Sequence, residues 1–333
     1  MKTIIASLSV IFACLAHIVT SPSAAAAQTT CDRACLARVA DSWFAAIAAH
    51  DPSKAPLAPN ARYTEQTKET PIGDGLWKTA TEPPTTFKII IADPVSGQVG
   101  GIVMMKDVDK PLQVGFRLRV VNGRITEGEH LAAPVTNPSS LVNLQTPRAG
   151  FSTLVPAKER LPREVLLLYG HGYYDALTNS DGKAMPFADD CVRHELGIHT
   201  AGPRNAPPPA PAPGAAVSAQ GSAFGSMTCA AQLDSRFMSY IEEISLRRVY
   251  IADEERGLVF CISMFRHPMN VKVLTILNPD GTRGERDMTK QRQFDMAAMH
   301  IFKVGPDRKV HEIEATGVVL PLDSLNGWSE FLR

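Results

Sequence analysis

Charge of one sign is the first thing this 333-residue chain lacks: 34 Lys and Arg stand against 34 Asp and Glu. Without a basic excess there is no electrostatic footprint for releasing counterions from phosphates, so nucleic acid is not an expected partner. Aromatic residues are sparse at 7%, yet 44% of the chain is hydrophobic, which at this length supplies a sizeable core and excludes a disordered or collagen-like chain. Long apolar runs are missing beyond the amino terminus. Missing too are a paired-cysteine zinc motif, a G-x-S-x-G nucleophile elbow, a phosphate loop and a dinucleotide fingerprint. His194-Glu195-Leu196-Gly197-Ile198-His199 spaces its histidines five apart rather than four, which sends them to different helical faces, and Gly197 disfavours a helix there. The expectation is chemistry with no metal and no cofactor.

What is present begins with an address. Lys2, the apolar stretch 4–19 and the small residues up to Ala27 read as a secretory signal peptide over residues 1–27. The apolar stretch contains Ser7, Ser9, Cys14 and His17 and is shorter than the roughly 20 residues that cross a bilayer. The mature protein is therefore expected in the periplasm or outside the cell, free of the membrane after cleavage. Thiols pair in that environment. Five cysteines remain once Cys14 has left, an odd number. The preferred pairing is Cys31 with Cys35 and Cys191 with Cys229, leaving Cys261 as a small buried hydrophobe in an apolar strand.

The chain also repeats itself. Residues 43–58 align without a gap on 173–188, and the same register carries Glu65 onto Glu195. Ile91-Ala92-Asp93 matches Ile251-Ala252-Asp253, and Thr126-Glu127-Gly128-Glu129 matches His311-Glu312-Ile313-Glu314. Three blocks in one order predict two copies of one fold. The expected organisation is a first domain at 28–133, a linker at 134–162, a second domain at 163–320 with a Pro-rich insertion at 202–214, and a tail at 321–333. Each copy opens on apolar residues at helical spacing, over 32–49 and 165–177. Strand patterns follow at 87–92, 98–105, 112–121 and 124–131, then at 244–252, 257–266, 294–304 and 309–318. Asn122-Gly123 marks a hairpin turn. Helix first and antiparallel sheet after makes each half α+β.

Ala58-Pro59-Asn60-Ala61-Arg62-Tyr63-Thr64-Glu65, Ile72-Gly73-Asp74-Gly75-Leu76-Trp77 and Phe187-Ala188-Asp189-Asp190-Cys191-Val192-Arg193-His194-Glu195 resemble secreted fungal and bacterial proteins that carry a domain of unknown function. Those proteins look like members of the SnoaL-like, nuclear transport factor 2-like (NTF2-like) superfamily. The resemblance implies two tandem cone-shaped α+β barrels, each a helix packed on a curved antiparallel sheet around a pocket. Elsewhere such pockets serve cofactor-free isomerases, lyases and hydrolases, and also pure binding, so fold alone does not fix function.

The chemistry available is acid–base. A strand through Arg193-His194-Glu195 sends Arg193 and Glu195 to one face and His194 to the other. If Glu195 points inward, a half-apolar cavity raises its pKa for general acid or base work while Arg193 orients an anionic group; if His194 does, the imidazole is the base. Tyr173, with Tyr169 and Tyr174 on the same helix, supplies phenol donors, and His267 is a further candidate base. The plain alternative makes the tyrosines core and the histidines structural hydrogen-bonders. Glu65 is the first copy's counterpart of Glu195, but Thr64 stands where His194 does, so the main site is expected in the second copy. The expected function is a secreted lyase, hydrolase or isomerase for a small apolar, aromatic or polyketide-like substrate. A protein that holds such a ligand without turnover is the alternative, and an interaction module using the proline loop is a third. The expected partner is a small molecule; a homodimer is left open.

Overall fold

In the computed structural model, which describes residues 31–203 and 223–328, the first element is helix α1 (Arg33–Ala48). Asp32 caps it by accepting the Cys35 N–H at 2.8 Å, and its apolar stripe buries Leu36, Val39, Trp43, Phe44 and Ile47. Then come β1 (Leu57–Glu65), β2 (Lys68–Glu69), the one-turn helix α2 (Leu76–Thr79), β3 (Ala80–Glu82), β4 (Lys88–Asp93), β5 (Gln98–Asp107), β6 (Lys110–Val121) and β7 (Arg124–Pro134). Asn122 and Gly123 take φ of 51° and 73°, the left-handed pair that a tight turn between β6 and β7 requires. Helix α3 (Pro138–Asn143) leads to α4 (Arg163–Asn179), β8 (Phe187–Glu195), β9 (Ile198–Ala201) and α5 (Cys229–Asp234). The second run of strands is β10 (Glu243–Asp253), β11 (Leu258–His267), β12 (Val273–Leu277), β13 (Arg283–Asp287), β14 (Phe294–Val304) and β15 (Val310–Leu320).

The strands form two large open sheets of matching order. One runs β2-β1-β7-β6-β5, with both β3 and β4 paired to β5; the other runs β9-β8-β15-β14-β11-β10. In each, the strand after the opening helix lies parallel to the last strand, β1 on β7 and β8 on β15. β12 and β13 pair only with each other, in an excursion between β11 and β14. The first half has only a tight turn at the corresponding place, where Asp107 of β5 pairs with Lys110 of β6.

The expected pair of cone-shaped barrels is not what forms. Both sheets are mixed rather than antiparallel, neither closes, and strand outweighs helix. The reason lies in strands that are apolar on both faces and need cover on both. Along β5, Val99, Val103 and Met105 face the core under α1, whereas Ile102 and Met104 join Ile251, Phe260 and Ile262 of the other sheet. Along β11, Val259, Cys261 and Phe265 face α4, whereas Leu258, Phe260 and Met264 enter the same inter-sheet core. The layers are therefore helix, sheet, sheet, helix. At Gly100 the two sheets approach so closely that a Cβ would lie 2.7 Å from the Phe260 ring.

Two blocks of the sequence repeat hold these layers together. Asp93 accepts the N–H groups of Val95 and Ser96 in its own turn at 3.0 and 3.2 Å, and across the interface it takes Arg163 Nε at 2.7 Å. Asp253 accepts the N–H groups of Glu255 and Arg256 at 3.0 and 3.2 Å and ion-pairs with Arg33. Arg163 and Arg33 are the first residues of α4 and α1, so each half anchors the helix start of the other. Glu129 and Glu314 form the second pair. Glu129 accepts two bonds of 2.6 Å from Arg248 and one of 3.2 Å from Arg117; Glu314 accepts Arg148 at 3.1 Å and Gln113 at 3.2 Å. Burial raises both carboxyls, but two guanidiniums bring Glu129 below its usual value while Glu314 is pushed up to about 7.

Cys31–Cys35 and Cys191–Cys229 are disulfide-bonded, and Cys261 is a buried free thiol. No described helix is long and apolar enough to cross a membrane. Residues 1–27, the insertion beyond Pro203 and residues 329–333 lie outside the described residues. The described part of the tail returns to the first half, where Trp328 donates its indole N–H to Thr64 Oγ1 at 2.9 Å and lies under the guanidiniums of Arg62 and Arg117.

Candidate functional site

In the first half the helix α1 places Trp43 against the sheet, and a chain of hydrogen bonds starts there. An indole N–H only donates, so Trp43 Nε1 at 2.8 Å makes His130 Nε2 an acceptor and leaves the imidazole proton on Nδ1. That proton points to Tyr63 Oη at 3.1 Å, and the tyrosine donates onward to Glu65 Oε2 at 2.5 Å. Glu65 also accepts the Leu76 N–H, at 2.9 Å to Oε2 and 3.2 Å to Oε1. Burial holds His130 at about 3 and lifts the Tyr63 phenol well above its usual value, so both are neutral links near pH 7. Gly75, at φ 62°, passes so near that a Cβ would collide with the Glu65 carboxylate. Glu65 is thus engaged by a phenol and a backbone N–H, an anchor for α2.

The second half keeps the scaffold and changes the residues. Tyr173 and Tyr174 on α4 replace Trp43 and Phe44, and Arg193 on β8 stands where Tyr63 stands on β1, two residues before the glutamate in each case. The imidazole has crossed to the neighbouring strand. In the first sheet Phe116 of β6 pairs with His130 of β7; in the second, His300 of β14 pairs with Ala315 of β15. His300 Nδ1 lies 3.3 Å from Tyr174 Oη, and burial holds this histidine at about 3. Tyr173 is therefore released from an imidazole partner and meets Arg193 instead.

Arg193 is buried and almost surrounded. Nε reaches Thr200 Oγ1 and Glu195 Oε1, each at 3.0 Å; Nη2 reaches Gln232 Oε1; Nη1 donates to Tyr173 Oη at 3.3 Å. Gln232 sits on α5, which begins at Cys229, so the Cys191–Cys229 disulfide ties α5 to β8 and sets the amide over the guanidinium. Glu195 is 44% exposed at the rim. Tyr240 shares this wall: burial raises its phenol above the usual value, and the charges of Arg286, Glu195 and Arg193 all act on it. Its ring lies 5.6 Å from that of His267, which stacks on Phe294 at 4.1 Å. His267 is held at about 4 by burial, although the backbone of Phe265 and Phe294 beside its ring works in the opposite direction.

The structure thus gathers Arg193, Glu195 and Tyr173, with His267 further along the same interior. It separates the others. His194 points to the opposite face, with its ring 5.4 Å from that of His199. Tyr169 donates to the Arg308 carbonyl at 2.7 Å, and Tyr174 belongs to the His300 contact. Tyr240, Gln232, His300 and Arg286 were not foreseen; only His300, a lone histidine in the apolar run 294–304, carried a signal in the sequence. Among the described residues no group of three or more His, Cys, Asp or Glu side chains could hold a metal ion. Two surface clefts of about 550 Å³ lie elsewhere, one beside Arg33, Lys88 and Arg256, the other beside Arg236 and β12.

A family model described as a domain of unknown function (DUF8021) matches residues 159–317, that is α4 through most of β15. Its description assigns no reaction and names neither an NTF2-like nor a SnoaL-like family. No curated protein matches the chain.

Proposed function

We propose that the second half carries a cofactor-free acid–base site for a small, largely apolar aromatic substrate, in an exported protein. The observation that carries this reading is the hydrogen-bond inventory at Tyr173. Its oxygen accepts from Arg193 Nη1, while its own hydroxyl proton and the second Nη1 proton of Arg193 have no acceptor among the described residues. Two buried donors side by side suit a substrate oxygen on which negative charge develops. Glu195, ion-paired to the same guanidinium at 3.0 Å, is the group that takes a proton from the adjacent carbon or from water. His267, kept neutral by burial, adds a second imidazole further along the same interior. Proton removal beside a carbonyl leads to elimination or isomerisation; attack by an activated water leads to hydrolysis. The two disulfides suit an oxidising compartment and support export.

Turnover of an aromatic ketone, lactone or ether by the purified chain tests this. Glu195→Gln should lower the rate at least a hundredfold while the protein still folds, with some loss of melting temperature because buried Arg193 loses its carboxylate, whereas His194→Ala, on the other face, should leave the rate intact. Full activity in Glu195→Gln sinks the assignment. Ligand binding without turnover is the second reading, favoured by the number of neighbours that already hold Arg193.

A further inference from the structure

The ribbon β12–β13 has no counterpart in the first half, and it brings one side chain to the site. Arg286 lies with its guanidinium 4.0 Å above the Phe237 ring and 4.9 Å above the Tyr240 ring, and it donates from Nη1 to the Phe237 carbonyl at 2.7 Å. No carboxylate among the described residues pairs with it. The ribbon is fixed rather than loose: Leu274, Ile276 and Met288 are buried with Phe224 and Met269, and the Leu277 N–H donates to the Ser235 carbonyl at 2.9 Å.

Arg193, whose one acidic partner among the described residues is Glu195 at 3.0 Å, also acts electrostatically on Tyr240. Of the charges that act on the Tyr240 phenol, those of Arg286, Glu195 and Arg193, Glu195 pairs with Arg193, and Arg286 over the Tyr240 ring has no carboxylate partner among the described residues. Tyr240, His267 and Phe294 continue from there as a run of neighbouring rings, 5.6 Å and 4.1 Å between successive centroids. An arginine flat against an aromatic ring keeps its N–H edge free for a planar anion.

We infer that the site selects aromatic carboxylates, with Arg286 as the specificity-determining residue that holds the carboxylate and the Tyr240–Phe294 wall receiving the ring. This rests on the second-half site being the ligand site, but not on its being catalytic. A monocarboxylate completes the charge balance, whereas a neutral ester of the same shape leaves Arg286 unpaired. The first half, without the ribbon and with Glu65 engaged by Tyr63 and the Leu76 N–H, is expected to show no such preference.

Calorimetric titration of the full chain with 3-phenylpropanoate and with its methyl ester tests this. The acid should bind at least tenfold more tightly than the ester at pH 7. Arg286→Gln should remove that difference by weakening the acid alone, and Arg286→Lys should restore part of it; unchanged thermal melts show that both variants fold. Equal affinity for acid and ester, no affinity for either, or an unaltered preference in Arg286→Gln overturns the inference. Tight acid binding with no product from any compound removes the enzymatic reading and leaves this one standing. Turnover confined to neutral substrates does the reverse.

Discussion

Replacing Glu314 by Gln should make the protein more stable above neutral pH and flatten its stability profile. Glu314 is buried between the sheets with one guanidinium near it, Arg148 at 3.1 Å, where Glu129 at the matching repeat position has two. Burial pushes the Glu314 carboxyl from 4.5 up to about 7 in the folded protein. The folded state therefore binds a proton that the unfolded state has lost, and stability falls as pH rises from 4.5 through 7. At about 1.4 kcal/mol per pH unit the loss is about 3 kcal/mol. The amide side chain of the Glu314→Gln variant has no proton to lose and keeps a hydrogen bond to Gln113 within reach, while Arg148 retains Glu312 at 2.7 Å. Urea unfolding of both proteins at pH 5, 6.5 and 8 measures the effect. The variant's advantage should grow by about 2.5 kcal/mol between pH 5 and pH 8. His311 also titrates in this range, because burial lowers it less than its bonds to Asp307 and Asp190 raise it; it contributes equally to both proteins and cancels. Parallel profiles would refute the reasoning.

The reciprocal anchors predict that Arg163→Ala, which leaves Asp93 buried and uncompensated, costs about 3–5 kcal/mol, and that an added Asp93→Asn recovers part of it in a double-mutant cycle. Gly100→Ala should destabilise by about 1–3 kcal/mol, because the new Cβ must displace the Phe260 ring; an unchanged denaturation midpoint would mean that the sheets do not meet there. His130 and His300, held at about 3, should show no titration near pH 6.5 by NMR. Because the unfolded chain takes up those protons first, stability should fall as pH drops below 6.5, and ring signals that titrate at the ordinary value would contradict the buried assignment. Cys191→Ser with Cys229→Ser opens a link with a sequence separation of 38 residues, worth about 4 kcal/mol in the chain-entropy model, and should loosen Gln232 from Arg193.

Much of the local structure was legible. The apolar spacing of Leu36, Val39, Trp43, Phe44 and Ile47 places α1, Asn122-Gly123 places the β6–β7 turn, and the strand patterns lie within a few residues of β4–β7, β10, β11, β14 and β15. The repeat was legible as a pattern but not in its role. Ile91-Ala92-Asp93 and Ile251-Ala252-Asp253 are interface blocks, and no spacing rule shows that Asp93 meets Arg163 some 70 residues away. The layered fold was missed although its signal was present: Leu258-Val259-Phe260-Cys261-Ile262 is apolar at every position, the mark of a strand covered on both faces. That Arg193 and Glu195 share one face and His194 takes the other was legible from strand alternation. Tyr240 and Arg286 come from a turn and an inserted ribbon, where no periodicity constrains the side chain's direction.

The most direct test of the central claim is mass-spectrometric analysis of the chain from Gln28 onward, incubated in heavy water with aromatic ketones, lactones and ethers. The proposed site predicts conversion that survives chelator, with deuterium entering at the carbon beside the carbonyl in any elimination or isomerisation product, and abolished in Glu195→Gln. No conversion and no exchange by the wild type, or equal conversion by Glu195→Gln, would contradict it.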